Sequence, residues 1–217
     1  MAAIPLSNIE ILQFSDIMLR LSSTASDFNA DGRSNILWRH SGTSNNVIWK
    51  SGNSATPQTI SALADQNWQI IDGLESGDLL QGGAGNNTLH GTLSNDILTG
   101  GLGNDTLTGG LGADQFIFNT TPNATSNIDT LTDFAPGSDK LALDDLIYTS
   151  LGANVDATEL RSGAGLSTAG DANDHLIYNT TTGALYYDAD GFGGAAAVNL
   201  ANLSGAPTIS HTDFAIL

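Results

Sequence analysis

Residues 73–117 read GLESGDLLQ, GGAGNNTLH, GTLSNDILT, GGLGNDTLT and GGLGADQFI, five consecutive units of nine residues without a gap. Three positions of the unit carry the pattern: glycine at position one, Asp or Asn at position six, and a large apolar residue at position eight. The position-eight residues are Leu80, Leu89, Leu98, Leu107 and Phe116. A fixed short period of this kind is typical of a repeat architecture in which each unit is one supersecondary element.

Each unit predicts a turn followed by a short strand. The glycines permit left-handed backbone angles in the turn, and the middle residue of the strand points to the interior. One unit is too small to bury its apolar residue alone, so the units must stack, with successive strands facing each other across a thin core. The predicted fold class is therefore all-β, a parallel β-roll of nonapeptide repeats with flanking antiparallel β-strands.

The polar positions of the unit predict calcium sites. Position six supplies side-chain oxygens from Asp78, Asn87, Asp96, Asp105 and Asp114. Positions one and three supply backbone carbonyls from Gly82, Ala84, Gly91, Leu93, Gly100, Leu102, Gly109 and Leu111. Ca²⁺ takes six to eight oxygen ligands, more than one turn offers. Turns i and i+2 share an edge of the roll, so we expect about three shared sites, at the pairs 78/96, 87/105 and 96/114. The alternative is a metal-free solenoid in which each Asp hydrogen-bonds its own turn.

The acid content agrees with calcium. The chain has 23 acidic and 6 basic residues and a formal net charge of −17, and all but Glu10, Glu75 and Glu159 of the acids are Asp. Asp is a turn residue and a hard oxygen ligand, whereas a merely solvated acidic surface mixes in more Glu. A halophilic or very soluble surface is the alternative interpretation. This charge argues against nucleic acid and anionic membranes as partners.

The sequence lacks the residues that several other classes of function require. No cysteine is present, which excludes disulfides and thiolate chemistry. The first twenty residues lack the basic start of a Sec-type signal peptide, and no apolar run is long enough to span a membrane. Neither H-E-x-x-H nor G-x-S-x-G occurs, and the four histidines are scattered singly. We therefore predict that the chain is not an enzyme.

The repeat pattern resembles the G-G-x-G-x-D-x-U-x motif of RTX (repeats-in-toxin, hemolysin-type) proteins, most closely at 100–117. Earlier units depart from the motif, since Leu74 and Thr92 replace the second glycine and Asn87 replaces an Asp. The resemblance implies a Ca²⁺-dependent β-roll in a secreted, extracellular protein.

The C-terminal region is also similar to the ends of such proteins, at IDTLTDFAPGSDKLALDD (128–145), HLIYNTTTGALYYDADGFGG (175–194) and HTDFAIL (211–217). The resemblance implies an uncleaved signal read by a type I secretion apparatus, with Asp213, Phe214, Ile216 and Leu217 as its residues. A capping strand with an apolar end is the alternative. In YYDADG, Asp188 and Asp190 form either a further calcium site or only a turn.

A second calcium-type loop precedes the repeats. The spacing D-x-N-x-D-G-x-x-N places the side chains of Asp27, Asn29 and Asp31 and the carbonyl of Arg33 on one concave face, with Asn35 at the ninth position. With ILWRH and NVIWK it resembles one blade of an FG-GAP or VCBS repeat, which implies calcium. A hydrogen-bonded turn is the alternative.

We therefore expect three parts: an N-terminal β unit at 1–72, the roll at 73–118, and a β-rich cap with the secretion region at 119–217. Four antiparallel strands are predicted before the roll, in the runs ILWRH, NVIWK, QTISAL and WQIID. After the roll we expect strands at 128–134, 140–143, 175–178 and 184–187, short helices at 143–151 and after residue 210, and a loop at 152–173.

Three tryptophans before the roll, Trp38, Trp49 and Trp68, are either core residues or a carbohydrate-stacking surface. An extracellular polysaccharide or protein ligand is therefore a possible partner. The leading hypothesis is a noncatalytic calcium-binding module of an exported protein. An adhesion or carbohydrate-binding protein, or the noncatalytic tail of a secreted polysaccharide-modifying or hydrolytic enzyme, is the alternative.

Overall fold

The computed structural model describes residues 77, 79–123 and 125–217, together with the backbone of three strands before them. Those strands are β1 (Ile36–Arg39), β2 (Asn46–Lys50) and β3 (Trp68–Asp72). The predicted calcium loop at 27–35, the predicted strand in QTISAL and the position-six residue Asp78 lie outside the described residues. In the described part of the chain, no helix has the length and hydropathy needed to cross a membrane.

Each nonapeptide unit within the described residues contributes one short strand. The strands are β4 (Leu79–Ala84), β5 (Thr88–His90), β6 (Ile97–Leu102), β7 (Thr106–Thr108) and β8 (Gln115–Phe118). Successive strands alternate between two sheets: β4, β6 and β8 pair in parallel in one sheet, while β5 and β7 pair in parallel in the other. This alternation confirms the predicted parallel β-roll.

Two buried columns of position-eight residues face each other in the roll. In one sheet Leu80 pairs with Leu98, and Leu98 pairs with Phe116. In the other sheet Leu89 pairs with Leu107. All five side chains are 0% exposed, so the predicted inward orientation is confirmed.

The strands after the repeats are β9 (Asp129–Leu131), β10 (Lys140–Leu143), β11 (Leu160–Gly163), β12 (Leu176–Asn179), β13 (Ala184–Tyr187), β14 (Val198–Leu203) and β15 (Phe214–Ile216). The first two continue the roll: β9 adds to β7, with Leu131 opposite Leu107, and β10 adds to β8, with Leu141 opposite Phe116. The roll therefore gains two more strands in which the glycine repeat is no longer visible.

Among the described strands, both sheets run across the predicted part boundary at 118, and the larger sheet also runs across the one at 72. The larger sheet has ten strands in the order β1-β2-β3-β5-β7-β9-β14-β13-β12-β11, and the smaller has five in the order β15-β10-β8-β6-β4. One hydrophobic core follows both sheets from Leu80 to Phe214. At its C-terminal end the Tyr148 and Tyr187 rings meet edge to face, with centroids 4.9 Å apart.

Several local predictions were wrong. Among the three strands described before the roll, β1 and β2 are the one antiparallel pair, because β3 pairs in parallel with both β2 and β5. No α-helix forms at 143–151: the Asp144 side chain accepts a hydrogen bond from the Leu146 N–H (2.9 Å), and this local turn replaces the helix. The predicted helix after residue 210 is a single 3-10 turn, His211–Asp213, followed by a strand. Strand β11 lies inside the predicted loop at 152–173.

Candidate metal centre

The turns of the roll depend on left-handed backbone angles at positions two and four. Six glycines occupy such positions: Gly83, Gly85, Gly101, Gly103, Gly110 and Gly112. In the third unit the corresponding residues are Thr92, with φ of 80°, and Ser94, with φ of 81°. The turn geometry is therefore kept even where the sequence departs from glycine, at the cost of backbone strain.

The position-six side chains connect turns that are two units apart. The Asn87 N–H donates to Asp105 Oδ1 (2.7 Å), and the Asp96 N–H donates to Asp114 Oδ1 (2.8 Å). Both pairs are eighteen residues apart, as the stacking of turns i and i+2 requires. The structure thus brings together two of the three pairs expected from the sequence.

The same hydrogen bonds continue beyond the repeats, which the sequence analysis missed. The Asp105 N–H donates to Asp129 Oδ1 and the Asp114 N–H donates to Asp139 Oδ1, both at 3.0 Å. The signal was present, because Asp129 precedes Leu131 and Asp139 precedes Leu141 with the Asp-x-apolar spacing of the repeats. Longer or glycine-poor turns break the period of nine and conceal it.

Glycine at position one leaves room for the position-six side chain of its own turn. A Cβ atom at Gly100 would collide with the carboxylate of Asp105, and one at Gly109 would collide with that of Asp114. This explains why position one is glycine in every unit: the carboxylate folds back across the start of the turn.

Oxygen atoms from neighbouring turns converge at this position. A Cβ atom built on Gly82 would lie 2.6 Å from Asn87 Oδ1 and 2.5 Å from the carbonyl oxygen of Gly100. A Cβ atom built on Gly91 would contact the Asp96 carboxylate and would lie 2.6 Å from the Gly109 carbonyl oxygen. Side-chain and carbonyl oxygens of turns i and i+2 thus gather in one place, as a hard cation requires.

Two of these carboxylates keep an oxygen without a hydrogen-bond donor. Asp105 and Asp114 are each 1% exposed, and the buried Oδ2 of each has no hydrogen-bond partner. A buried carboxylate oxygen that lacks a donor is costly unless a cation neutralises it. Among the described residues, no group of three or more His, Cys, Asp or Glu side chains is placed to hold a metal ion by itself.

Three buried carboxyl groups of the hydrogen-bonded ladder have raised pKa values. Burial raises the pKa of Asp105 to about 6, although the hydrogen bond from the Asn87 N–H acts in the opposite direction. Burial, followed by the charge of Asp105, raises the pKa of Asp129 to about 8. The pKa of Asp114 is raised for the same first reason, burial. Burial thus disfavours the charged form of these carboxyl groups unless positive charge enters the turns.

The carbonyls predicted as ligands also fall into stacked pairs. Ala84 pairs with Leu102 between β4 and β6, and Leu93 forms a parallel bridge with Leu111. Each pair joins the position-three residues of turns i and i+2. Among the described residues, the structure therefore places predicted side-chain and main-chain ligands on common edges, and their binding of metal stays a prediction.

A second ladder, formed by asparagines at position five, was also missed. The Asn104 N–H donates to Asn86 Oδ1 (2.9 Å) and the Ala113 N–H donates to Asn95 Oδ1 (2.8 Å). The Ile128 N–H continues the ladder to Asn104 Oδ1 (2.9 Å). These bonds hold neighbouring turns together through neutral groups alone.

One family model matches the repeats described above. The family model described as the RTX calcium-binding nonapeptide repeat (4 copies) matches residues 72–107 and 81–116. No curated protein matches the chain. Among solved structures, the solution structure of the AlgE6R3 subunit from the Azotobacter vinelandii mannuronan C5-epimerase is similar, with 22% identity and a TM-score of 0.47, over 76% of this chain and 85% of that one. The chain therefore contains RTX calcium-binding nonapeptide repeats, and the ion that these repeats bind is Ca²⁺.

Proposed function

We propose that this chain is a noncatalytic RTX module of an exported protein, and that it folds outside the cell when it binds calcium. One observation carries the proposal: the carboxylates of Asp105 and Asp114 are buried, and each has an oxygen with no hydrogen-bond donor. Such groups destabilise a metal-free fold, and a divalent cation removes the penalty.

The ligands follow from the stacked turns. Asn87 with Asp105 and Asp96 with Asp114 form two sites, and Asp78 with Asp96 forms the third. Carbonyls at positions one and three complete each site, from Gly82, Ala84, Gly91, Leu93, Gly100, Leu102, Gly109 and Leu111. When bound, calcium supplies positive charge to turns in which the side chains and carbonyls are hydrogen-bond acceptors.

The energetics of the roll favour coupling of folding to calcium. Each unit buries one large side chain, whereas its turn must order glycine, which loses more conformational freedom on folding than any other residue. The net charge of −17 adds repulsion in the compact state. The position-five asparagine ladder opposes these costs with neutral hydrogen bonds only. Metal-free roll is therefore expected to be largely disordered at neutral pH.

The C-terminal residues are proposed as a type I secretion signal that is not removed. The support is their resemblance to the ends of RTX proteins, at Asp213, Phe214, Ile216 and Leu217. In the folded chain Asp213 and Phe214 are buried, at 2% and 7% exposure, so only the unfolded chain presents them. Export before folding is consistent with this burial, because calcium is scarce inside cells and abundant outside.

Circular dichroism and hydrogen exchange test the calcium-coupled fold. We expect a cooperative gain of β signal on adding calcium, reversed by a chelator, whereas magnesium has little effect because it holds its water and demands octahedral geometry. In hydrogen exchange the gain in protection should centre on 73–117. Equal amide protection of that segment with and without chelator contradicts the proposal.

A pair of matched variants tests whether Asp105 is a calcium ligand. Asp105→Asn keeps the side-chain acceptor for the Asn87 N–H but removes a charge, and it should raise the calcium concentration at the folding midpoint. Asp145→Asn makes the same charge change at an exposed position in the C-terminal region and should leave the midpoint nearly unchanged. Equal midpoints for the two variants argue against Asp105 as a ligand.

A further inference from the structure

The loop that follows β13 carries two carboxylates outside the nonapeptide repeats. Asp188 follows the last residue of the strand and is 4% exposed, and Asp190 lies two residues further on. Neither belongs to the stacked turns of the roll. The loop ends where the chain turns toward β14.

Hydrogen bonds hold the loop in a closed shape. The Asp188 N–H donates to the carbonyl of His175, and the Asp188 carbonyl accepts from His175 Nδ1, both at 2.9 Å. At the far end, the Ala195 N–H donates to the two carboxylate oxygens of Asp190, at 3.0 and 3.2 Å. The Phe192 N–H donates to the carbonyl of Asp171 (3.0 Å), which fixes the middle of the loop to a neighbouring segment.

Two glycines make this shape possible. Gly191 and Gly193 have φ values of 68° and 100°, where side chains are disfavoured. A Cβ at Gly194 would collide with the carboxylate of Asp190, so this carboxylate lies directly on the backbone of the loop. The backbone of the loop thus surrounds the Asp190 carboxylate.

One oxygen of the Asp188 carboxylate lacks a hydrogen-bond partner. Asp188 Oδ1 is buried and has no hydrogen-bond partner. Burial raises the pKa of Asp188, and so does the neighbouring carboxyl group of Asp190, whereas the backbone N–H groups of Asp190 and Gly191 lower it. Two carboxyl groups therefore meet inside a closed loop, and one of them has a buried oxygen with no donor.

We propose that the 188–195 loop binds one Ca²⁺ ion, with the carboxylates of Asp188 and Asp190 as its charged ligands. Main-chain carbonyls of the loop and water supply the remaining ligands. Calcium fits better than magnesium, because Ca²⁺ accepts irregular arrangements of carboxylates and carbonyls whereas Mg²⁺ requires a near-ideal octahedron. Softer metals are disfavoured because the loop offers oxygen alone. This site is separate from the repeats, so it stands or falls independently of the function proposed above.

Native mass spectrometry of the full chain in calcium tests the proposal by counting ions. Asp188→Asn and Asp190→Asn should each bind one ion fewer than the parent chain, while Asp145→Asn, an exposed acid changed in the same way, binds the parent number. An unchanged count in both loop variants overturns the proposal. Circular dichroism of the same samples reports the roll separately, and its calcium response should persist in the loop variants.

The parent chain provides a test that needs no substitution, should the loop variants fail to fold. In its NMR spectrum, once enough calcium is present to fold the roll, the amides of Gly191 and Ala195 should shift with a calcium dependence of their own, distinct from that of amides in 73–117, and magnesium should not replace calcium. If those amides ignore calcium, the loop holds no cation and the proposal is wrong.

Discussion

The Gly137 N–H donates a hydrogen bond of 2.7 Å to Asp213 Oδ1, so the end of the chain is fixed to the turn that precedes β10. Asp213 Oδ2 accepts from the Ser210 N–H (2.7 Å), and β15 then pairs in parallel with β10. The proposed secretion signal is thus an edge strand of the smaller sheet in the folded chain.

Deletion of residues 210–217 separates export from calcium binding. The truncated chain should lose export through a type I apparatus, while its repeats still bind calcium because their turns are untouched. It should also be less stable, because the deletion removes Phe214, and truncating a buried Phe alone costs about 3 to 5 kcal/mol. Secretion assays and calcium titration measure the two effects.

Leu141→Ala is the control for that deletion. Leu141 lies opposite Phe214 and is 0% exposed, so this variant loses about 2 to 5 kcal/mol of stability but keeps the C-terminal residues. It should still be exported. Undiminished export of the truncated chain shows that the signal lies elsewhere.

Replacing the strained residues of the third turn should stabilise the roll. Thr92 is β-branched at a φ of 80°, and its buried Oγ1 has no hydrogen-bond partner. Thr92→Gly should therefore raise the free energy of unfolding in calcium by about 1 kcal/mol, since the relief of strain exceeds the entropy that glycine adds to the unfolded chain. Denaturant unfolding in saturating calcium measures the change.

Gly101→Ala is the reverse substitution at the same position of the next turn. Its φ is 101° and the added Cβ would collide with the Gly83 carbonyl, so this variant should be clearly destabilised. If Thr92→Gly instead destabilises the roll, the threonine side chain makes a favourable interaction in the turn that outweighs its backbone strain.

Asn87→Asp tests the pairing of turns i and i+2. A second carboxylate at the site shared with Asp105 should tighten calcium binding there, because ligand charge largely sets calcium affinity. Isothermal titration should show one site with increased affinity. In chelator the same variant should be less stable than the parent, because it buries a further charge.

Asn95→Asp is the matched control, since it adds the same charge at an exposed position-five residue. Its aspartate still accepts the hydrogen bond from the Ala113 N–H. Calcium affinities of the position-six sites should change little. If both variants alter every site equally, the effect is general electrostatics and the pairing is wrong.

Stability of the metal-free chain should depend on pH in the direction opposite to that of most proteins. The pKa of Asp105 is raised to about 6 and that of Asp129 to about 8, so the folded state binds more protons than the unfolded state above pH 4. Stability from these groups is complete below about pH 4 and is lost as pH rises through 6 to 8. In chelator, β signal should therefore be stronger at pH 5 than at pH 8.

Asp129→Asn identifies the group responsible for the upper part of that profile. The variant should lose the pH dependence between about 6 and 8 but keep the part due to Asp105. Saturating calcium should flatten the profile of the parent chain, because bound cations favour the ionised carboxylates. A metal-free chain that is most stable at pH 8 contradicts the burial of these acids.

The roll was predictable because its information is local and repeated. The position-eight residues from Leu80 to Phe116 set the two buried columns, and the position-six residues set which turns meet. The period fails at Asp129 and Asp139, where turns of different length connect the same kind of strand. No nine-residue pattern identifies these two acids, although they extend the hydrogen-bond ladder.

The flanking strands were less predictable because their partners are distant in the sequence. Strand β14 pairs with β9, some seventy residues earlier, and nothing in VNLANL specifies that neighbour. The parallel pairing of β2 with β3 likewise depends on the roll, which offers β5 as the next partner. At Asp144 a side-chain hydrogen bond overrode a helical pattern, a competition between local alternatives that hydrophobic spacing alone does not reveal.

The alternation of strands between two sheets restricts how this chain can change in length. Loss of one nonapeptide moves every later strand to the opposite sheet, so that β9 and β14 would no longer join the sheet that contains β3. Loss or gain of two nonapeptides preserves the side on which each strand lies. We therefore expect insertions and deletions within 73–117 to be tolerated best in steps of eighteen residues, the separation that joins Asn87 to Asp105.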